Sequence, residues 1–152
     1  MTYAAADARQ QILDVLAQAA QELGLALASL SEAYEQLDER TAERVEEQLF
    51  HPVQLAYGRA RSTHAAFAAR YELPPREFAQ ADEPAPSHGV KGLLEAAVAD
   101  VHGADATLAT LQDSLLPIEV GDAELRAGLE QVRELIAGVS GRSRELLRTF
   151  GR

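Results

Sequence analysis

The stretch Thr41–Leu73, TAERVEEQLFHPVQLAYGRARSTHAAFAARYEL, decides how the chain is read. Val45, Leu49, Ala56, Ala60, Phe67 and Tyr71 fall on one helical face. That face is interrupted: Pro52 sits inside it, Arg59 lies beside it, Thr63 falls near its centre and His64 near its edge. A proline inside a helix removes one backbone donor and collides with the carbonyl four residues back, so the spacing predicts a helix kinked at Pro52.

Upstream, Ile12, Leu16, Ala19, Leu23, Ala26, Leu30, Ala33 and Leu37 alternate steps of four and three, a sustained heptad seam. Extending that seam past Leu37 would rotate Val45, Leu49 and Val53 off its face. A break at LDERT is therefore expected, with Asp38 and Thr41 both suited to capping a new helix. Downstream, Val90, Leu94, Ala97, Val101, Ala104, Leu108, Leu111 and Leu115 form a second regular seam. Leu125, Leu129, Val132, Ile136, Val139, Ser143, Leu146 and Phe150 form a third, with Ser143 its one polar intrusion.

These patterns predict an all-α, four-helix bundle in a single domain spanning residues 1–152. Its helical segments cover about 4–37, 41–72, 88–115 and 122–150. The long Pro-rich loop 73–87, within LPPREFAQADEPAPSHG, joins the second and third segments. Extended at ~3.3 Å per residue, that loop could reach either end of a bundle, so antiparallel and crossover topologies are both open.

Composition narrows the function classes. The chain has 152 residues, 47% of them hydrophobic but only 5% aromatic, with no Trp, so small side chains build the core. A net charge of −10 argues against broad contact with nucleic acid or an anionic membrane. No apolar run approaches the ~18 residues of a membrane span, and MTYAAADARQQ has no signal-peptide pattern. The absence of Cys excludes disulfides and thiolate chemistry. The Ala and Arg bias is that of a GC-rich bacterial gene, and a cytoplasmic location is expected.

Three sets of residues could carry a function. His88-Gly89-Val90-Lys91-Gly92 resembles the H-x-x-K-G core of histidine-containing phosphotransfer domains, a family of four-helix bundles. The resemblance implies His88 as phosphoacceptor, Lys91 favouring the added charge and Gly92 leaving room for the partner. Pro84-Ala85-Pro86-Ser87 precedes it and puts His88 at a helix start. The second set is an interior polar pocket of Thr63, His64, Asp105 and Ser143, suited to a small ligand. Glu47 with His51, and His102 with Asp105, have spacings that could ligate a metal, but no Glu-x-x-His occurs, and no metal or other cofactor is expected. The third set is off-stripe apolar surface: Leu25, Leu55, Phe50 and Leu13 on the first two helices. Together these point to a non-enzymatic interaction or regulatory module, a homodimer or partner-binding protein using the face of its first two helices. Phosphotransfer through His88 and ligand or metal binding near His64 are the alternatives.

Overall fold

A computed structural model describes residues 3–78 and 89–150, and every regular element in them is helical. In chain order these are α1 (Tyr3–Glu35), α2 (Glu39–Val45), a π turn (Glu46–Phe50), α3 (His51–Arg70), α4 (Gly89–Asp113), α5 (Leu116–Val120), α6 (Ala123–Ile136) and α7 (Val139–Phe150). The most extensive packing is α1 against α4, followed by α3 against α6 and α1 against α3. The seams read from the sequence supply most of the core, except that Leu115 lies beyond the end of α4 and is 67% exposed. Ile12, Leu16, Leu23, Leu30, Leu49, Phe67, Leu94, Leu108, Leu125, Leu129 and Leu146 are all fully enclosed.

The break after the first helix falls slightly earlier than its apolar seam. α1 ends at Glu35, where the Gln36 and Leu37 N–H groups turn back to the carbonyls of Ala33 and Tyr34. Asp38 then caps α2 with extended backbone, accepting from the Thr41 N–H at 2.9 Å and from its hydroxyl at 3.0 Å. Thr41 is therefore the third residue of the helix, not its cap. The Thr41 N–H first, and its hydroxyl second, hold the exposed Asp38 carboxyl below the ordinary carboxylate range.

The chain meets Pro52 with a π turn. The His51 N–H reaches back five residues to the Glu46 carbonyl, and this wider turn lets Pro52 enter within the first turn of α3. There a missing donor matters least. The carbonyl deprived of its α-helical partner by Pro52 belongs to Gln48, four residues earlier. Arg142 Nε donates to it at 2.7 Å. Arg142 on α7 thus fills a hydrogen bond that proline removes from a distant helix. Arg142→Met is expected to cost about 1 kcal/mol, the usual value of one such bond. In a Pro52→Ala background the restored N–H makes the same substitution nearly neutral. Urea unfolding of the four proteins measures this coupling.

The fourth predicted helix is divided. α6 stops at Ile136 and α7 begins at Val139. Gly138 lies between them, where the Arg142 guanidinium rests so close that any Cβ would overlap it. Glycine is a poor helix former, and here it also makes room for that guanidinium. Between α4 and α6, Pro117 opens the short α5 and Gly121 closes it at φ 70°. At the end of α3, Glu72 takes the left-handed conformation (φ 55°) usually given to glycine. Its N–H and that of Leu73 return to the carbonyls of Ala69 and Ala68, closing the helix. This sends residues 73–78 back along α3.

Candidate functional site

The four residues of the expected interior pocket occupy separate settings. Thr63 is buried, but its hydroxyl donates to the Arg59 carbonyl one turn earlier at 2.7 Å, so its polarity is met within α3. Its side chain lies against Gly128 of α6. His64 is buried beside Phe78 of the returning segment, ring edge to ring face at 5.3 Å. Burial first, and the nearby Arg76 charge second, hold its imidazole below the ordinary histidine range, while Asp14 opposes them.

Asp105 is half-exposed and paired with Arg133 across α4 and α6, Oδ1 lying 2.8 Å from Nε. It shares a hollow of about 60 Å³ with His102 and Ser140, and Arg133 takes up its charge. Ser143 is buried, and its hydroxyl has no hydrogen-bond partner among the described residues. No two of the four bond to one another in the described residues, so these residues do not converge on one polar chamber. Nor do the described residues hold any group of three or more His, Asp or Glu positioned to bind a metal.

The phosphoacceptor candidate His88 lies outside the described residues. Its companions Lys91 and Gly92 fall in the first turn of α4, which opens at Gly89 with φ 83°. Lys91 is exposed and stands 4.0 Å from Glu95.

Of the surface set, Leu25 and Leu55 are exposed at 44% and 47%. Leu13 is only 2% exposed and belongs to the core. Its assignment to the surface is corrected for a physical reason: α1 packs on both α4 and α3, so its buried band is wider than one heptad seam and takes in Leu13, Ala17, Ala20 and Leu27 as well. Phe50 is half-buried, one side against the core. Grooves flank this surface. One of about 540 Å³ runs between α3 and the returning segment beside His64, lined by Arg61, Ser62, Arg76 and Phe78 among others.

The sequence reading missed the strongest polar junction. Asp122 caps α6 by accepting from the Leu125 N–H at 2.8 Å. The same carboxylate takes two bonds from Arg70 of α3, at 2.8 and 2.7 Å, and one from the Tyr71 hydroxyl at 3.0 Å. Burial pushes the Asp122 carboxyl up, but Arg70, the Leu125 N–H and Tyr71 outweigh it and hold it below the ordinary value. Arg9 of α1 stacks over the Tyr71 ring at 4.2 Å, so three helices meet there. A second missed brace crosses α1 and α4: Thr107 donates to Glu22 at 2.9 Å, and the Glu22 carboxylate lies over Gly103, where a Cβ would displace it. Burial first, and Glu22 second, raise the neighbouring Asp100 carboxyl. Pairs across 51 or 85 positions leave no local signal.

No protein-family model matches the chain, and no curated protein or solved structure is similar enough to count as a match. Among the described residues, no helix is long and apolar enough to cross a membrane.

Proposed function

We propose that this chain is a non-enzymatic helical interaction module that self-associates through the outer faces of α1 and α3. The observation that carries the reading is the exposure of Leu25, on a helix whose other leucines are enclosed, and of Leu55, the one leucine of α3. Two large aliphatic side chains left in water on neighbouring helices form surface that a second copy would cover. Phe50, half-buried against the core, and Leu13, enclosed in it, drop out of the interface. The proposal includes a four-helix bundle in one domain, bent at Pro52 and working in a bacterial cytoplasm. The packing of α1 on α4 and α3, and of α3 on α6, supports that arrangement.

Sedimentation of the untagged protein is expected to show a dimer, and Leu25→Glu and Leu55→Glu to return it to monomer. Both variants should melt within a few degrees of the parent monomer, because exposed substitutions change folding stability by about 0.5 kcal/mol or less. A parent protein that stays monomeric at high concentration ends the proposal.

A second reading, small-ligand binding beside His64, draws on the groove of about 540 Å³ lined by Arg61, Arg76 and Phe78. Native mass spectrometry of protein taken gently from its host separates the two. A dimer without added mass supports self-association, and a monomer with a stoichiometric adduct supports the ligand.

A further inference from the structure

The last turns of α1 present Ser31, Tyr34 and Glu35, three and four residues apart and so on one face. The π turn ahead of Pro52 presents Glu46 and Phe50. These five residues line a cleft of about 360 Å³, a size suited to a small molecule. Its walls are two aromatic rings, two carboxylates and a hydroxyl, with no basic residue among the described residues that line it. Tyr34 is 42% exposed, high for an aromatic side chain in a chain so poor in them. Among the described residues no hydrogen bond or ion pair engages the side chains of Tyr34, Glu35 or Glu46, whereas Asp122, Asp105 and Glu22 all have partners. π turns recur at functional sites because they re-aim side chains. Here the turn forced by Pro52 supplies one carboxylate and one ring of the cleft.

We propose that this cleft binds a small organic cation of the guanidinium type. Aromatic faces attract cations, an attraction strengthened by two adjacent carboxylates. A guanidinium uses both kinds of wall at once: its edges donate to carboxylates in its plane while its faces stack on rings. A tetrahedral alkylammonium shares the charge but has no flat face to stack. A metal ion would gain little from Tyr34 and Phe50. The chain's net charge of −10 raises the local concentration of any cation, so specificity must come from the rings. The inference is independent of self-association through Leu25 and Leu55.

The test is an amide-resolved NMR titration of the full chain with butylguanidinium chloride, against tetramethylammonium chloride and sodium chloride at equal ionic strength. Butylguanidinium is expected to move the amides of residues 31–35 and 46–50 saturably, with weak affinity in the ~1–10 mM range. Tetramethylammonium should bind at least about threefold more weakly, and sodium should give no saturable shift. Tyr34→Ala should weaken butylguanidinium about two- to fivefold, the worth of an exposed cation–ring contact, while Tyr34→Phe keeps it. Glu46→Gln should weaken it by a similar factor. Both positions are exposed, and a thermal melt verifies that the three variants fold. Shifts scattered over the acidic surface and alike in all three salts overturn the proposal, as does Tyr34→Ala binding like the parent. Tetramethylammonium binding as tightly as butylguanidinium overturns the guanidinium assignment.

Discussion

Asp122→Ala is expected to destabilise the protein by about 2–3 kcal/mol, lowering its melting temperature by roughly 5–10 °C at this chain length. The effect has two sources. Loss of an N-cap acceptor costs about 1 kcal/mol, since the Leu125 N–H is left without its partner. The remainder comes from Arg70, whose two bonds and ion pair to Asp122 disappear together. A fully buried arginine would lose more, but Arg70 is 29% exposed and keeps a bond to the exposed Glu124, so water screens part of the loss. Asp122→Asn should fall between, because an amide still caps the helix but cannot pair with a guanidinium.

The same residue sets the acid limit. A carboxylate held below its unfolded value near 3.8 contributes stability in full above that value. The contribution is lost as pH falls through the lowered native value. The gap between parent and Asp122→Asn should therefore be constant near neutrality and close in strong acid. His64, also held low, acts earlier. Its neutral native form contributes fully above the ordinary value of 6.5, and that contribution falls as pH drops from there towards the lowered native value. Urea unfolding at stepped pH separates the two. An Asp122→Ala cost under about 1 kcal/mol would mean the junction is ornamental.

Helical class and core composition were legible because they depend on local periodicity. Leu16, Leu23, Leu94, Leu108, Leu129 and Leu146 were assigned inward from spacing alone and are enclosed. What escaped were features that depend on which helix lies beside which. Leu13 sits off the heptad seam, and only the contact of α1 with two neighbours encloses it. The division at Gly138 escaped because the seam runs through it unbroken from Ile136 to Val139. The disturbance at Pro52 was legible as a lost hydrogen bond, but its outcome was not: a π turn and an arginine from α7 are tertiary answers to a local defect. The same limit applied to candidate sites. Thr63, His64, Asp105 and Ser143 each read as an inward polar residue, and three of them find separate partners in Arg59, Phe78 and Arg133. Seams place residues facing inward; they do not say whether two such residues share a chamber. The Tyr34–Phe50 cleft had a partial signal in the Ser31, Tyr34, Glu35 spacing, but its other wall depends on the turn created by Pro52.

Gly128→Ala is the sharpest probe of that tertiary layer, because local and global preferences oppose each other. In an isolated helix alanine is favoured over glycine by about 1 kcal/mol. In this protein a Cβ at Gly128 would collide with the Thr63 hydroxyl and methyl, and would crowd its Cβ at 3.1 Å. Thr63 cannot swing away freely: its hydroxyl is bound to the Arg59 carbonyl, and a β-branched side chain has few helical rotamers. The substitution is therefore expected to cost about 1–2 kcal/mol net, overpacking exceeding the propensity gain. Thr63→Ala removes the hydroxyl and methyl and leaves only the 3.1 Å contact, within reach of a small helix shift. In that background Gly128→Ala should become neutral or mildly stabilising, giving a coupling of about 1–2 kcal/mol between positions 65 residues apart in sequence. Independent costs for the two substitutions would place Thr63 away from Gly128 in solution, and the α3–α6 contact with it. A strong coupling would fix the register of those helices, and with it the approach of Arg70 to Asp122 at the far end of the same pair.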